Sequence, residues 1–372
     1  MTIRATRTVA ALAVLGLGLT ACGTDAEEPT SGADGTADGT TDDGTTDDGT
    51  TTEDAAAGDS SDGTVTLYSG RNEDLVQPVL DAFSEETGIE VEVRYADTAA
   101  MAAQILEEGD NSPAEVFLAQ DAGALGAVAK EGRLLELPEE TLELVPETYR
   151  SQDGDWVGLT GRARVLVYNE DAVSEEDLPT SVQELTEDEW AGRVGIAPTN
   201  ASFQSFVTAM RVLEGDDAAR QWLTDMAAND PQIREKNGII VADVDSGAID
   251  AGLVNHYYLY ELAEEQGVPA EDLSAALHFF PDGDTGALVN ISGIGLVGEQ
   301  ADGDAQALVD YLLSEAGQTY FVENTHEYPM VEGVEPDPSL PSLDSLDVPD
   351  VDLNDLDDLQ TTIEMITEAG LL

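Results

Sequence analysis

The globular part of this chain opens with Thr64-Val65-Thr66-Leu67-Tyr68-Ser69-Gly70, a run with strand composition that ends in a turn signal. Apolar residues then recur at helical spacing from Leu75 to Phe83, and Gly88 marks the end of that helix. The next run, Ile89-Glu90-Val91-Glu92-Val93, alternates apolar and charged residues as a half-buried strand does. A strand, a helix and a strand in this order predict a βαβ unit with parallel strands.

The same alternation continues along the chain, with polar residues after each apolar run. Further strands are predicted at 116–118, 163–168, 194–197 and 251–254, and helices around 101–106 and 206–213. The run Thr160-Gly161-Arg162 resembles a turn before one of these strands. The sequence therefore predicts an α/β protein with mainly parallel sheets flanked by helices, whose ligands bind beyond the carboxyl ends of the strands.

The 372-residue chain is strongly acidic, with 78 Asp and Glu against 14 Lys and Arg and a formal net charge of −64. Binding to nucleic acid requires clustered Lys and Arg that neutralise phosphates, so nucleic acid is excluded as a partner. Because acidic residues are spread along the globular part, we expect a halophilic protein whose self-repulsion is screened by salt. The alternative is an ordinary acidic secreted protein.

The N-terminus has the pattern of an export signal. Two arginines precede an apolar run at 9–19, which is shorter than the roughly 20 residues of a membrane span. The run Leu19-Thr20-Ala21-Cys22 follows and resembles the lipobox of bacterial lipoproteins. This resemblance implies a signal peptide at 1–21 and a mature protein held at the membrane by a lipid on Cys22. Because Cys22 is the only cysteine, the chain has no intramolecular disulfide.

Residues 22–63 are predicted to be a disordered acidic tether. They repeat Thr, Asp and Gly, as in Asp42-Asp43-Gly44-Thr45-Thr46-Asp47-Asp48-Gly49, and contain no large apolar residue. Such a segment cannot offset its ordering entropy, and its like charges keep it extended. Calcium binding is the alternative for an acidic repeat, but the ligand spacing of an EF-hand loop and its terminal Glu are absent.

Six short motifs, taken together and in order, resemble the ferric-ion-binding substrate-binding proteins of bacterial iron ABC importers, which are relatives of transferrin. Each motif is weak alone, but the set is specific and extends over nearly everything after the tether. The motifs are Leu67-Tyr68-Ser69-Gly70-Arg71-Asn72, Pro113-Ala114-Glu115-Val116-Phe117, Gly161-Arg162-Ala163-Arg164-Val165, Ala197-Pro198-Thr199-Asn200-Ala201-Ser202-Phe203, Asn255-His256-Tyr257-Tyr258 and Pro281-Asp282-Gly283-Asp284-Thr285-Gly286-Ala287-Leu288.

The resemblance implies a two-lobe periplasmic-binding-protein fold with a hinge between lobes that close over the ligand. We expect lobe 1 at 64–161 plus 288–337 and lobe 2 at 162–287 plus 338–372, with the chain crossing near 162–167 and near Leu288. The resemblance also implies a monomeric, extracytoplasmic protein that delivers its cargo to an iron ABC permease. Its place is the periplasm or the outer face of a single-membrane cell.

Tyr257 and Tyr258 are the predicted iron ligands. Fe³⁺ is a hard cation that prefers anionic oxygen, and it favours loss of the phenolic proton, whose ordinary pKa is about 10. Strand geometry would point neighbours to opposite faces, so both reach one metal only if the chain leaves that geometry after Val254. The resemblance implies that it does; the alternative is one core and one surface tyrosine. His256 is either a further ligand or a hydrogen-bonding support for the loop.

On the opposite rim the chain departs from the common family pattern. Asn72 stands where many relatives have a histidine, and Gln120, followed by Asp121, stands where they have a glutamate. Asn72, Gln120 and Asp121 are candidate metal ligands, although an amide brings no charge. The alternatives are Glu73, water, or a different metal or chelated form of iron. Asp121 has the alternative role of capping the next helix.

Relatives complete the iron shell with a synergistic anion, phosphate or carbonate. The resemblance places the run Thr199-Asn200-Ala201-Ser202 around this anion, at the start of a predicted helix, where N–H groups bind anions. Asn237 and Asn255 match further anion-contacting positions. Arg162 is the predicted source of positive charge because it lies in the turn, and the alternative for Arg162 and Arg164 is a surface ion pair.

The predicted function is capture of Fe³⁺ with an anion and its delivery to a permease, without catalysis. The sequence has no Ser-His-Asp signature, no zinc-ligand spacing and no catalytic arrangement of its three histidines. The main alternative is a binding protein of the same fold for a free anion or a small organic solute, such as a phosphonate, thiamine or a polyamine. A secreted hydrolase and a purely structural surface lipoprotein are the remaining alternatives.

Thermal unfolding at increasing NaCl concentration tests the halophilic interpretation. We expect the melting temperature to rise by about 5 °C or more between roughly 0.1 M and 2 M NaCl, because salt screens the repulsion between acidic side chains. A melting temperature that does not respond to salt would contradict it.

Overall fold

The computed structural model describes residue 61 and residues 63–298 and 302–372. Its α-helices are α1 (Glu73–Thr87), α2 (Thr98–Glu108), α3 (Ala122–Lys130), α4 (Glu139–Leu142), α5 (Ala201–Glu214), α6 (Asp216–Ala228), α7 (Asn237–Asp245), α8 (Tyr257–Gln266), α9 (Gly303–Leu312), α10 (Glu315–Thr325) and α11 (Leu359–Glu368). Its strands are β1 (Thr64–Ser69), β2 (Glu90–Tyr95), β3 (Val116–Ala119), β4 (Val157–Asn169), β5 (Val194–Ile196), β6 (Gln232–Ile233), β7 (Ala251–Asn255), β8 (Ala275–His278), β9 (Val289–Leu296) and β10 (Tyr328–Pro329).

The described strands form one sheet in the order β2-β1-β3-β9-β4-β7-β5-β6, and β10 and β8 also pair with β4. Pairing is parallel among the outer strands, between β1 and its neighbours β2 and β3 and between β5 and its neighbours β6 and β7. Every pairing of β4 and β9 is antiparallel. The predicted α/β fold is confirmed, with the parallel βαβ units at the two sides and antiparallel strands between them.

β4 joins two halves of this sheet. Its residues up to Ala163 pair with β9 in the first half, which also contains β1, β2, β3 and β10. From Arg164 onwards it pairs with β7 and β8 in the second half, which also contains β5 and β6. The turn predicted at 160–162 is wrong, because these residues lie inside the continuous strand. The glycine that suggested a turn allows close packing instead, since a Cβ on Gly161 would lie 2.4 Å from Cε of Met330.

Each half of the sheet is covered by its own helices. In the first half, Val76, Val79, Leu80 and Phe83 are buried along one face of α1. In the second half, the ring of Trp222 on α6 packs against the phenylalanines of α5, and α11 packs against both helices. No helix in the described part of the chain is both long and apolar enough to cross a membrane.

The described chain begins just before β1. Ser61 Oγ and the Gly63 N–H each donate a hydrogen bond of 2.8 Å to the carboxylate of Asp304 at the start of α9. The predicted signal peptide, the lipidation at Cys22 and the tether up to residue 60 lie outside the described residues.

Candidate metal centre

Tyr257 and Tyr258 are the first two residues of α8, directly after β7. His256 between strand and helix already has helical backbone angles, with φ −57° and ψ −40°. Successive residues of a helix lie about 100° apart, whereas successive residues of a strand point to opposite faces. The two rings therefore lie together, with centroids 4.3 Å apart and planes inclined by 31°. The chain leaves strand geometry after Asn255, one residue later than the sequence predicted.

Both tyrosines line an open cavity of about 820 Å³, here called the tyrosine cavity. One wall follows the carboxyl ends of β1 and β3 and contains Asn72 and Gln120. The facing wall is formed by α8 and by the N-terminal part of α7. The structure thus brings two of the candidate ligands from the opposite rim into one space with the tyrosine pair.

The phenol of Tyr257 is difficult to ionise without a cation. Burial raises its pKa well above 10, the neighbouring Tyr258 raises it further, and Arg162 partly opposes this effect. A trivalent cation in the tyrosine cavity would supply the missing stabilisation of the phenolate. Among the described residues, no group of three or more His, Cys, Asp or Glu side chains comes together as a metal site. A metal at this place consequently depends on the phenolic oxygens.

Asp121 has the capping role that the sequence left open. Its carboxylate accepts a hydrogen bond of 3.0 Å from the Ala124 N–H and begins α3. It does not line the tyrosine cavity; it lines a second, much smaller cavity, which shares Gln120 with the first. Asp121 therefore lies outside the space that contains the two tyrosines.

His256 supports the loop instead of facing the tyrosine cavity. Its Nδ1 accepts a hydrogen bond of 3.1 Å from the Ala163 N–H, and its Nε2–H donates one of 2.7 Å to the His326 carbonyl. The ring is fully buried, and burial lowers its pKa to about 4. Both ring nitrogens are occupied, so this neutral imidazole ties the start of α8 to β4 and to the segment after α10.

The second cavity, here called the arginine pocket, has a volume of about 10 Å³, enough for roughly one water molecule. It lies at the N-terminus of α5. The predicted anion-binding residues Arg162, Ala201, Ser202 and Asn255 line it.

Asn200 and Asn237 support this pocket through Ser202. Asn200 caps α5 by accepting hydrogen bonds from the Ser202 N–H at 3.0 Å and from its hydroxyl at 2.6 Å. Asn237 Nδ2–H donates to Ser202 Oγ at 3.0 Å. Thr199 is exposed and lies in neither cavity.

Arg162 and Arg164 are both buried, so the surface ion pair considered from the sequence is not formed. Arg162 lies within β4 rather than in a turn, and its guanidinium is 3.6 Å from the carboxylate of Glu327. Arg164 has no carboxylate partner among the described residues. It donates to Ser202 Oγ at 3.2 Å and to the Leu253 carbonyl at 3.0 Å, and burial lowers its pKa to about 9. Arg164 is thus the buried cation that still lacks an anion.

Glu327 lines the tyrosine cavity and also contacts Arg162 of the arginine pocket. It accepts two hydrogen bonds from Arg71, at 2.9 and 2.8 Å, and others from the hydroxyls of Thr160 and Thr325 at 3.0 and 3.1 Å. Burial alone would raise its pKa, but the adjacent Arg71 and Arg162 hold that pKa below the ordinary value of 4.5. The Glu327 carboxylate therefore holds Arg71, which follows β1, and lies close to Arg162 of β4.

Arg164, Arg71 and Glu327 are the residues of this site that sequence reasoning missed. Arg162 and Arg164 stand two apart in an apolar strand, and this spacing on one face was an available signal for a second buried arginine. The partners Arg71 and Glu327 are 256 positions apart, and no local pattern links them.

Replacement of Glu327 by Gln tests the buried network. We expect the free energy of unfolding at pH 7 to fall by about 3–5 kcal/mol, because Arg71 would remain buried without its carboxylate. Urea unfolding of the wild type and the variant measures this. Glu323→Gln, on the exposed side of α10, is the matched control and should change stability by less than about 0.5 kcal/mol.

The difference between wild type and Glu327→Gln also depends on pH. Because the folded-state pKa of Glu327 lies below its unfolded value of 4.5, its contribution is complete above pH 4.5 and is lost as the pH falls further. The two unfolding curves should converge in acid. A gap that stays constant down to pH 3 would contradict the assignment.

Comparison with known proteins shows the family of this chain. Residues 111–354 match the family described as bacterial extracellular solute-binding proteins. An Fe(3+)-binding periplasmic protein of Serratia marcescens is 33% identical over 315 residues, which cover 84% of this chain and 92% of that protein. A major ferric iron-binding protein of Neisseria meningitidis serogroup B is 36% identical over 272 residues, which cover 72% of this chain and 80% of that one.

Solved structures agree with the sequence relatives. Iron-bound HitA from Pseudomonas aeruginosa has a TM-score of 0.75 at 36% identity and covers 82% of this chain and 99% of its own. The Trichodesmium IdiA (FutA) structure in complex with iron and citrate has a TM-score of 0.72 at 29% identity, with coverage of 82% and 99%. The two-lobe fold is therefore established. The chain belongs to the bacterial extracellular solute-binding proteins, and its relatives there are ferric-iron-binding transport proteins rather than enzymes.

Proposed function

We propose that this protein captures Fe³⁺ in the tyrosine cavity, with the phenolate oxygens of Tyr257 and Tyr258 as its principal ligands. The observation that carries the proposal is the stacked ring pair at the start of α8, which faces one shared space. Iron binding releases the two phenolic protons, and the charge of the cation compensates the burial of the phenolates. The relatives named for ferric iron support the same cargo.

Asn72 and Gln120 face the tyrosines as neutral ligands in this proposal. They bring oxygen without charge, so two phenolates and two amides leave one positive charge of Fe³⁺ unbalanced. Nearby side chains add to this excess, because Arg71, Arg162 and Arg164 are buried, whereas Glu327 is buried and Asp121 only partly so. An anion such as carbonate or phosphate would oppose this positive charge.

Arg164 is the proposed anion-binding cation, with Ser202, Asn255 and the N–H groups at the start of α5 as further donors. Arg162 already faces Glu327, whereas Arg164 has only neutral acceptors. The charge of Arg164 also interacts with both tyrosines, and this supports an anion site beside the proposed metal site.

The hinge of the two-lobe fold is proposed to lie where β4 changes partners, between Ala163 and Arg164, and at the neighbouring Leu288. The Arg164 N–H donates a hydrogen bond of 2.8 Å to the Leu288 carbonyl, so the two crossing segments touch. This placement lies within two residues of two of the proposed boundaries, in lobes at 64–161 plus 288–337 and 162–287 plus 338–372. Within the last segment, Asn354 accepts a hydrogen bond of 2.9 Å from the Trp156 indole N–H of lobe 1, and α11 packs against α5 and α6 of lobe 2. Closure of the lobes would cover the tyrosine cavity.

We further propose that the loaded protein is a monomer, is held outside the cytoplasm by a lipid on Cys22 and presents iron to an ABC permease. The lipobox-like sequence and the extracellular or periplasmic character of the family support this location. The mass of the mature protein tests the anchor. A mass that shows removal of residues 1–21 but no lipid on Cys22 would rule it out.

Removal of one phenol tests the iron site. Wild-type protein mixed with ferric citrate should show a visible phenolate-to-iron charge-transfer band. Tyr257→Phe or Tyr258→Phe should each reduce this band by about half or more, and the double variant should have none, because only a phenolate oxygen supplies the transition. Tyr260→Phe, on the same helix but outside the tyrosine cavity, is the control and should retain the full band.

Colourless wild-type protein that binds carbonate or phosphate alone would overturn the iron assignment. It would favour the alternative of a free-anion binder. Binding of phosphonate, thiamine or polyamine without iron would favour an organic solute in the same cavity.

Arg164→Gln tests the anion. With carbonate present, we expect its iron affinity to fall by roughly 10- to 150-fold, which corresponds to the loss of a charged hydrogen bond of about 1.5–3 kcal/mol. Without added anion the variant and the wild type should differ little. Arg220→Gln, which removes an exposed arginine, is the control. An equal loss with and without carbonate would count against an anion at Arg164.

A further inference from the structure

Glu261 lies one helical turn after the tyrosine pair. It is three residues from Tyr258 and four from Tyr257 on α8, and residues at these spacings are neighbours on a helix surface. Helical side chains lean toward the helix N-terminus, so its carboxylate leans back over the turn that carries the tyrosines. All three side chains line the tyrosine cavity.

The carboxylate of Glu261 has no hydrogen bond or ion pair among the described residues, although the side chain is partly buried. Burial, with smaller contributions from Glu327 and Glu265, raises its pKa to about 7, while His326 opposes this shift. A desolvated carboxylate beside two other carboxylates is unfavourable unless a cation compensates it. The Glu261 carboxylate in the cavity wall thus has no donor or cation partner among the described residues.

The candidate iron site is short of one anionic oxygen from the protein. Asn72 and Gln120 on the opposite wall are neutral amides, and Asp121 is used as a helix cap in the other cavity. Fe³⁺ prefers anionic oxygen and takes about six ligands in oxygen-rich surroundings. A carboxylate within the tyrosine cavity would fill this gap from the same side as the phenolates.

We propose that Glu261 is a carboxylate ligand of the bound Fe³⁺ and that α8 alone supplies three anionic oxygens to the metal. This inference rests on the proposed function, since it concerns the same cation. The carboxylate ligand would then come from α8, which also carries the tyrosines, and not from the opposite rim, where Asn72 and Gln120 are neutral. Glu265, a further turn along α8, lines the same cavity but is exposed and remains outside the metal shell.

The test compares Glu261→Gln with Glu265→Gln, which removes the same charge from the same helix and cavity. Iron affinity is measured by competition with citrate. We expect Glu261→Gln to weaken binding by on the order of 10- to 100-fold and Glu265→Gln by less than about threefold. The charge-transfer band of Glu261→Gln should persist, because both phenolates remain, but its maximum should shift with the change in donor set.

Glu261→Asp separates coordination from charge acting at a distance. Asp keeps the negative charge but withdraws it by one methylene, so a ligand role predicts weaker binding and a shifted band in this variant as well. Wild-type affinity and spectrum in Glu261→Asp would overturn the proposal. Equal losses in Glu261→Gln and Glu265→Gln, or no loss in either, would also overturn it.

Failure of this inference differs from failure of the iron assignment. If the wild type shows no band with ferric citrate, the proposed function itself is wrong. If the wild type is coloured and Glu261→Gln is indistinguishable from it in affinity and band position, only the role of Glu261 is wrong. Far-UV circular dichroism of the metal-free variants verifies that they fold.

Discussion

Buried positive charge is the constraint on which the rest of this site depends. Three arginines are withdrawn from water within a protein of net charge −64, and Glu327 is the carboxylate that binds Arg71 bidentately and approaches Arg162. Burial of an ion is costly unless geometry and hydrogen bonds compensate it, and Glu327 obtains four hydrogen bonds from arginine and threonine donors. Arg164 is left without a carboxylate partner among the described residues and donates only to neutral acceptors.

The position of β4 explains why this charge is located between the two halves of the sheet. Ala163 is the last residue to pair with β9 and Arg164 is the first to pair with β7. Arg162 and Arg164 therefore project from one strand at the place where it passes between halves, and His256 hydrogen-bonds to the backbone of Ala163 between them. A movement of one half relative to the other must alter the surroundings of both cations. With the proposed hinge at this place, the charge of a ligand and the position of the lobes would be coupled through β4.

Local sequence predicted the parts of the structure that local physics determines. The βαβ start at Thr64, the adjacent tyrosine rings and the N-terminus of α5 at Asn200 were predictable because strand alternation, phenol chemistry and helix caps have short-range signatures. The turn at Gly161 was wrong because a glycine packed against Met330 inside a strand looks the same in sequence as a glycine in a turn. The pairing of Arg71 with Glu327 could not be found, since 256 positions separate them. The cavity itself depends on such long-range contacts.

The ligand-free site contains unpaired groups of both signs, and this arrangement has a physical consequence. Arg164 lacks an anion on one side of the tyrosines, and Glu261 lacks a cation on the other. Each isolated charge destabilises the ligand-free protein. Arg164 and Glu261 do not form an ion pair with each other among the described residues. In the proposed function, a ferric ion would compensate Glu261 and the phenolates, and an anion would compensate Arg164. Joint binding of metal and anion would then be favoured over binding of either one.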